Sequence, residues 1–326
     1  ALDRPEPAVL WELNAETSVP NPVWNDDWDG APLVVGDYLL EGGENSWFYV
    51  IRLHRDYDAR GKVKVDPEVV LTVPGFDDEL LAALPDSNVS IESSVAFDDG
   101  VAYFANSGGL VQGWDISRVL NGGTKAKRVF RFWTGEDTDA SVVIDEDGFL
   151  YVASEVDRFT ARGRDVGQLM KLDPRRRDDP LVWSFAIREQ GSDGSGGVWA
   201  TPALYGKMVY VATNHGDLIG VERETGRERW RIHLAGPTWS SPVPIDDVTM
   251  LGFTVTWNPH GPLTGEQLRV CREDDVLHVR VDPATFVPVV NRGDDYRIDR
   301  AAQAAGSMTG IPGLRTQDLA VQEDQS

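Results

Sequence analysis

The motif Trp199-Ala200-Thr201-Pro202 returns forty residues later as Trp239-Ser240-Ser241-Pro242. A recurrence at that distance restricts the chain to repeat architectures, in which one small unit stacks on copies of itself. Between the two copies lie four extended runs, at residues 200–204, 208–213, 217–222 and 228–234. Tyr205-Gly206-Lys207, Asn214-His215-Gly216 and Glu224-Thr225-Gly226 separate them and supply the glycine and asparagine that tight hairpins require. Val209 and Val211 alternate with Tyr210 and Ala212, the period of a strand rather than a helix. Four strands in such a length make one blade of a propeller, so the repeat predicts an all-β propeller of four-stranded blades.

Other copies of the unit open at Ala31, Ser93, Ala140 and Ser240, each with small residues, an apolar run, a turn and a second apolar run. Fourth strands are predicted near Val69, Arg128, Leu181 and Arg229. The uneven spacing makes residues 56–67, 76–88 and 158–167 insertions on a constant frame, with a helical turn or two at 77–84. Residues 1–8 read as a lead-in, and residues 9–13 (VLWEL) as an outer strand donated to the last blade to close the ring. Clear repeats end at about residue 249. Candidate strands at 267–271, 276–281 and 286–290 are expected either to complete a fifth and a closing blade as diverged units of a propeller over 9–299, or to belong to a C-terminal portion that is incomplete or altered relative to the repeat. Residues 300–326 read as helical in part and then as a disordered tail.

Lys and Arg number 31 against 53 Asp and Glu, a formal net charge of −22, which argues against a nucleic-acid partner. No apolar run is long enough to span a bilayer, and no charged-then-apolar leader follows Ala1, so any signal peptide or lipid anchor is expected to have been removed or never to have been there. Cys271 is the single cysteine, which excludes an internal disulfide and a thiolate metal cluster.

The run Gly220-Val221-Glu222-Arg223-Glu224-Thr225-Gly226-Arg227-Glu228-Arg229-Trp230 resembles the repeat of quinoprotein-like (PQQ-type) β-propellers, Ala-x-Asp-x-x-Thr-Gly-x-x-x-Trp. Thr225, Gly226 and Trp230 match, with Gly220 and Glu222 in place of the Ala and the Asp. Trp11, Trp133 and Trp183 continue the tryptophan column, which is expected to pack between neighbouring blades. The resemblance implies one of two branches: quinone-dependent alcohol dehydrogenases, or non-catalytic propellers such as the lipoprotein of the outer-membrane β-barrel assembly machinery. It also implies that the dehydrogenases set a disulfide of adjacent cysteines against the quinone. With Cys271 alone, no PQQ site is carried over. The expectation is therefore a monomeric, extracytoplasmic scaffold for an envelope protein or a small ligand. The alternative is a quinoprotein-like oxidoreductase, or a metal-assisted polysaccharide-degrading enzyme acting at the channel mouth.

Aligning the units places Asp29, Glu92 and Asp139 where first strands begin, near the axis of a propeller. Three carboxylates gathered there form an acidic ring suited to calcium or a cationic ligand, or simply a solvated mouth. Trp199 and Trp239, one position earlier in the repeat, are expected to line the same mouth, either walling a ligand or packing between blades. Asn25-Asp26-Asp27-Trp28-Asp29-Gly30 opens like a calcium loop, but an EF-hand would need Glu where Gly36 stands. Asp98-Asp99-Gly100 and Asp145-Glu146-Asp147-Gly148 read as hairpin turns. His54, His215, His233, His260 and His278 show no metal-ligand spacing.

Overall fold

The computed structural model describes residues 9–188, 196–234, 238–244, 250–251, 264–265, 282, 288–304 and 309–311. The chain divides into two compact units, Ala1–Leu251 and Gly252–Ser326.

The first unit is built from four-stranded antiparallel sheets in chain order. The first holds β1 (Leu33–Val35), β2 (Tyr38–Gly42) and β3 (Trp47–Arg52). A small hairpin of β4 (Asp56–Tyr57) and β5 (Val63–Lys64) follows, and β6 (Glu68–Pro74) then completes that sheet. After helix α1 (Asp78–Ala83) comes the second sheet, of β7 (Ala96–Asp98), β8 (Val101–Phe104), β9 (Leu110–Asp115) and β10 (Lys127–Trp133), with α2 (Ser117–Leu120) before its last strand. The third contains β11 (Val143–Ile144), β12 (Leu150–Ala153), β13 (Leu169–Leu172) and β14 (Leu181–Phe185), with α3 (Ala161–Val166) inserted. The fourth contains β15 (Ala203–Tyr205), β16 (Met208–Ala212), β17 (Asp217–Glu222) and β18 (Glu228–His233). A two-stranded sheet, β19 (Val243–Pro244) and β20 (Met250–Leu251), begins a fifth blade.

Period-2 alternation with both faces apolar explains the stacking. In β8, Ala102 and Phe104 pack toward the first sheet, where the rings of Phe104 and Phe48 lie 5.0 Å apart. The intervening Tyr103 packs toward the third sheet with Val152 and Met170. In β12, Leu150 and Val152 face the second sheet, whereas Tyr151 and Ala153 face Val209 and Val211 of the fourth. An antiparallel sheet buried on both sides needs this double pattern, and successive faces make one propeller-like stack.

The first strands are tied together by a ladder of hydroxyls. The amide of Ala31 donates to Ser94 Oγ at 2.9 Å, that of Ser94 to Ser141 Oγ at 3.0 Å, that of Ser141 to Thr201 Oγ1 at 3.1 Å, and that of Thr201 to Ser241 Oγ at 3.0 Å. Small hydroxyl residues recur at the unit starts because each satisfies an amide of the preceding sheet's lead-in.

One expectation is corrected. Residues 9–13 form no strand; Val9 is 80% exposed and Leu10 67%, and Trp11 leaves the tryptophan column with them. A strand needs an edge to pair with, and this segment makes no ladder with any described strand. Trp230 covers Gly220 of its own sheet, its cross-strand partner, with Tyr210 at 5.8 Å. The docking between sheets is made by Trp183, whose Nε1 donates to Arg223 O at 2.9 Å while its ring presses on Gly226. Thr225 Oγ1 donates to Glu222 Oε2 at 2.5 Å and sets that turn. Beside it, Arg223 bonds Asp145 at 3.1 Å and Glu146 at 2.7 Å, so the hairpin turn at Asp145 is also an anchor for the fourth sheet.

In the second unit, Asn291 caps a 3₁₀ segment (Arg292–Arg297) through a capping box with Asp294. Tyr296 and Ile311 are buried with Val290 and Ile298, and a short helix, α4, spans Arg300–Ala304. The strands expected at 267–271 and 276–281, most of that expected at 286–290, Cys271 and residues 312–326 lie outside the described residues. Among the described residues no helix is long and apolar enough to cross a membrane.

The contact of Trp183 with Gly226 yields a double-mutant test. Gly226 has φ +70°, and a Cβ there would meet the Trp183 ring at 2.6 Å. In urea denaturation, Gly226→Ala should cost about 1 kcal/mol for the left-handed backbone plus about 1–3 kcal/mol for overpacking. In a Trp183→Ala background only the first part should remain. Equal costs in both backgrounds would refute the docking.

Candidate functional site

Four equivalent backbone hydrogen bonds define the ends of the sheets where the first strands begin. The amides of Glu44, Ser107, Glu155 and Asn214, each in a loop after a second strand, donate to the carbonyls of Asp27, Ser90, Asp137 and Gly197 at 3.1, 2.8, 2.9 and 3.0 Å. Two residues after each carbonyl stand Asp29, Glu92, Asp139 and Trp199, and two further on lie Ala31, Ser94, Ser141 and Thr201 of the hydroxyl ladder. The frame therefore delivers three side chains per sheet to one mouth: the carbonyl residue, the column residue and the turn residue.

The expected column residues are brought together through partners that the column alone does not contain. Asp29 is exposed and lies against Glu44, whose charge is felt by Glu92. The hydroxyl of Ser107 donates to Glu92 Oε1 at 3.1 Å and to Asp139 Oδ1 at 3.3 Å, linking the second sheet to the third. In the third sheet Asp137, Asp139 and Glu155 each offer an oxygen within 4.8 Å of the others. The rings of Trp199 and Trp239 pack against each other in a tilted arrangement, centroids 4.7 Å apart and planes inclined by 31°. Trp239 is 58% exposed.

The electrostatics follow from burial and crowding. Burial, then the charge of Asp139, push Glu92 up to about 7. The same two causes, in the same order, raise Asp137 and Glu155 far above the carboxylate range. Among the described residues Arg158 stands beside this group, its Nη2 4.0 Å from Asp137 Oδ2. Its Nε donates to Ser107 O at 3.0 Å and its head also reaches Asn88 O and Asp86. Glu136 holds the Arg158 loop by accepting from four consecutive amides, those of Asp157, Arg158, Phe159 and Thr160. Packed carboxylates of this kind either share protons or bind a hard cation.

Reading the column missed Asp137, Glu155, Glu44 and Arg158. The first three had a signal, since each recurs at a fixed offset once the loop after the second strand is aligned as well as the start of the first. Arg158 had none, because it belongs to an insertion. The segment that opens like a calcium loop is closed on itself: Asn25 Nδ2 donates to Glu44 Oε2 at 2.7 Å and to Asp27 Oδ2 at 3.3 Å.

A family model described as outer membrane protein assembly factor BamB, of the PQQ-repeat type, matches residues 166–281. Over those residues the repeat resembles the PQQ type. Among solved structures, BamB from Moraxella catarrhalis aligns at 15% identity and a TM-score of 0.44, over 67% of this chain and 56% of that one. The quinohemoprotein alcohol dehydrogenase ADHIIG from Pseudomonas putida HK5 aligns at 14% identity and a TM-score of 0.45, over 66% of this chain and 35% of that one. The chain thus spans less than two thirds of either structure's length. No curated protein sequence matches it. The PQQ-like repeat accounts for Thr225, Gly226 and Trp230, which set the turn and cover Gly220 well away from the acidic residues.

Glu41, on β2, offers a pH test of this crowded mouth. It is 7% exposed, its Oε2 meets no donor among the described residues, and burial pushes it up to about 8. A carboxyl raised in the folded state favours folding below its unfolded value, about 4.3, and that contribution is lost as pH rises toward the folded value. Stability should therefore fall between about pH 5 and pH 8, and Glu41→Gln should flatten the fall by about 1 kcal/mol per pH unit. Parallel pH profiles for the two proteins would contradict this.

Proposed function

We propose that this chain is a non-catalytic scaffold of the cell envelope, a PQQ-like propeller that holds a protein partner against its mouth. The observation that carries the reading is the division of one repeat column into two chemistries. Asp29, Glu92 and Asp139 make one side anionic, and the tilted pair Trp199 and Trp239 makes the other aromatic. A basic segment suits both sides, through ion pairs with the carboxylates and cation–π contact with an exposed indole. The match of residues 166–281 to an assembly-factor model supports the envelope placement and the choice of a protein partner.

A photo-crosslinker at position 239, used in cells, is expected to capture an envelope protein through a Lys/Arg-bearing segment. Binding of that segment to the purified chain should weaken about tenfold in Trp239→Ala, and should weaken further with salt. Capture through an apolar segment, or binding indifferent to both salt and Trp239, would overturn the reading.

A further inference from the structure

The first and third sheets carry the same acidic constellation at their three mouth positions: Asp27, Asp29 and Glu44 in one, Asp137, Asp139 and Glu155 in the other. They differ in what neutralises it. In the first sheet Asn25, four residues before the column position, inserts its amide between two of the carboxylates and donates to both. In the third sheet Gly135 stands four residues before Asp139. Gly135 has φ +92°, and a Cβ there would lie 2.5 Å from Gly163 N, so no side chain can be supplied from that position. Asp137 is 7% exposed and Glu155 5%, and Asp137 Oδ1 meets no donor among the described residues. Arg158 approaches only the other oxygen of Asp137, and does so at 4.0 Å.

We propose that Asp137, Asp139 and Glu155 hold one divalent cation of the calcium class. All three offer hard oxygen ligands, and their oxygens lie within 4.8 Å of one another, within reach of one ion with Ca–O bonds of about 2.3–2.6 Å. A cation in this position does for the third sheet what the Asn25 amide does for the first. It gives the donorless oxygen of Asp137 a partner and allows three adjacent carboxylates to ionise together. The site lies on the Asp139 side of the Ser107 bridge and needs no partner at the mouth, so it stands or falls separately from the scaffold reading.

The test is a calorimetric titration of the full chain, stripped with chelator, with CaCl₂, alongside terbium luminescence. One ion per chain is expected, with a rise in Tm on calcium addition. Asp139→Asn and Asp137→Asn should each weaken binding by at least about tenfold and abolish the Tm rise. Both replacements remove a crowded charge at constant shape, and circular dichroism checks that they fold. Anomalous scattering from manganese-soaked crystals locates the ion without any variant. Neither heat nor a Tm shift at millimolar calcium or manganese would overturn the proposal and assign the group to proton sharing. Binding that survives both variants but is lost in Glu44→Gln would overturn it too, by moving the ion to the first sheet.

Discussion

The arrangement depends on a short set of amide-to-hydroxyl hydrogen bonds running from one first strand to the next. Ala31, Ser94, Ser141, Thr201 and Ser241 each stand two residues after a mouth position, and the bonds between them fix how each sheet begins relative to its neighbour. Apolar burial on both faces makes the sheets stack, but burial is non-directional and tolerates sliding. Directional bonds at 2.9–3.1 Å remove that freedom. Because register is fixed there, whatever stands two or four residues upstream is carried to the same place. The acidic group is a consequence of that constraint combined with Asp and Glu at the repeated positions.

Concentrating carboxylates where water is scarce costs stability, and each sheet meets the cost differently. Asn25 donates to Asp27 and Glu44 in the first, and Ser90 and Ser107 both donate to Glu92 in the second. In the third, Arg158 stands off at 4.0 Å and Asp137 Oδ1 is left without a donor. The opposite arrangement operates away from the mouth. There Asp77 caps α1 and accepts from Arg128 and Arg131, and Arg131 foremost holds its carboxyl well below the usual range. The same residue type is therefore a strut where arginines of an outer strand meet it and a crowded, buried group at the mouth.

Much of this frame was legible in the sequence because period-2 alternation and glycine turns are local signals. The third and fourth strands of the reference unit fall at Asp217–Glu222 and Glu228–His233, within a residue of where the pattern put them. The column of Asp29, Glu92 and Asp139 was legible for the same reason, since it is a fixed offset from a small-residue anchor. Glu155 and Asp137 needed two offsets to be combined, and only the amide-to-carbonyl bond between them shows that the two columns meet. Residues 9–13 misled because VLWEL has the composition of a strand, whereas a strand also needs an edge in the right place. Trp183 behaves as the tryptophan column implied, docking the third sheet on the turn at Gly226 of the fourth.

The most direct measurement is residue-resolved amide hydrogen exchange at Ala31, Ser94, Ser141 and Thr201, in the wild-type chain and in Ser141→Ala. If the hydroxyl ladder sets the register, all four amides exchange slowly in the wild type, and the substitution accelerates Ser94, whose acceptor it removes, more than Ala31. If Ser94 exchanges in the wild type as fast as an exposed loop amide, or if the substitution leaves it unchanged, the ladder does not hold the sheets, and the common origin claimed for the mouth is wrong.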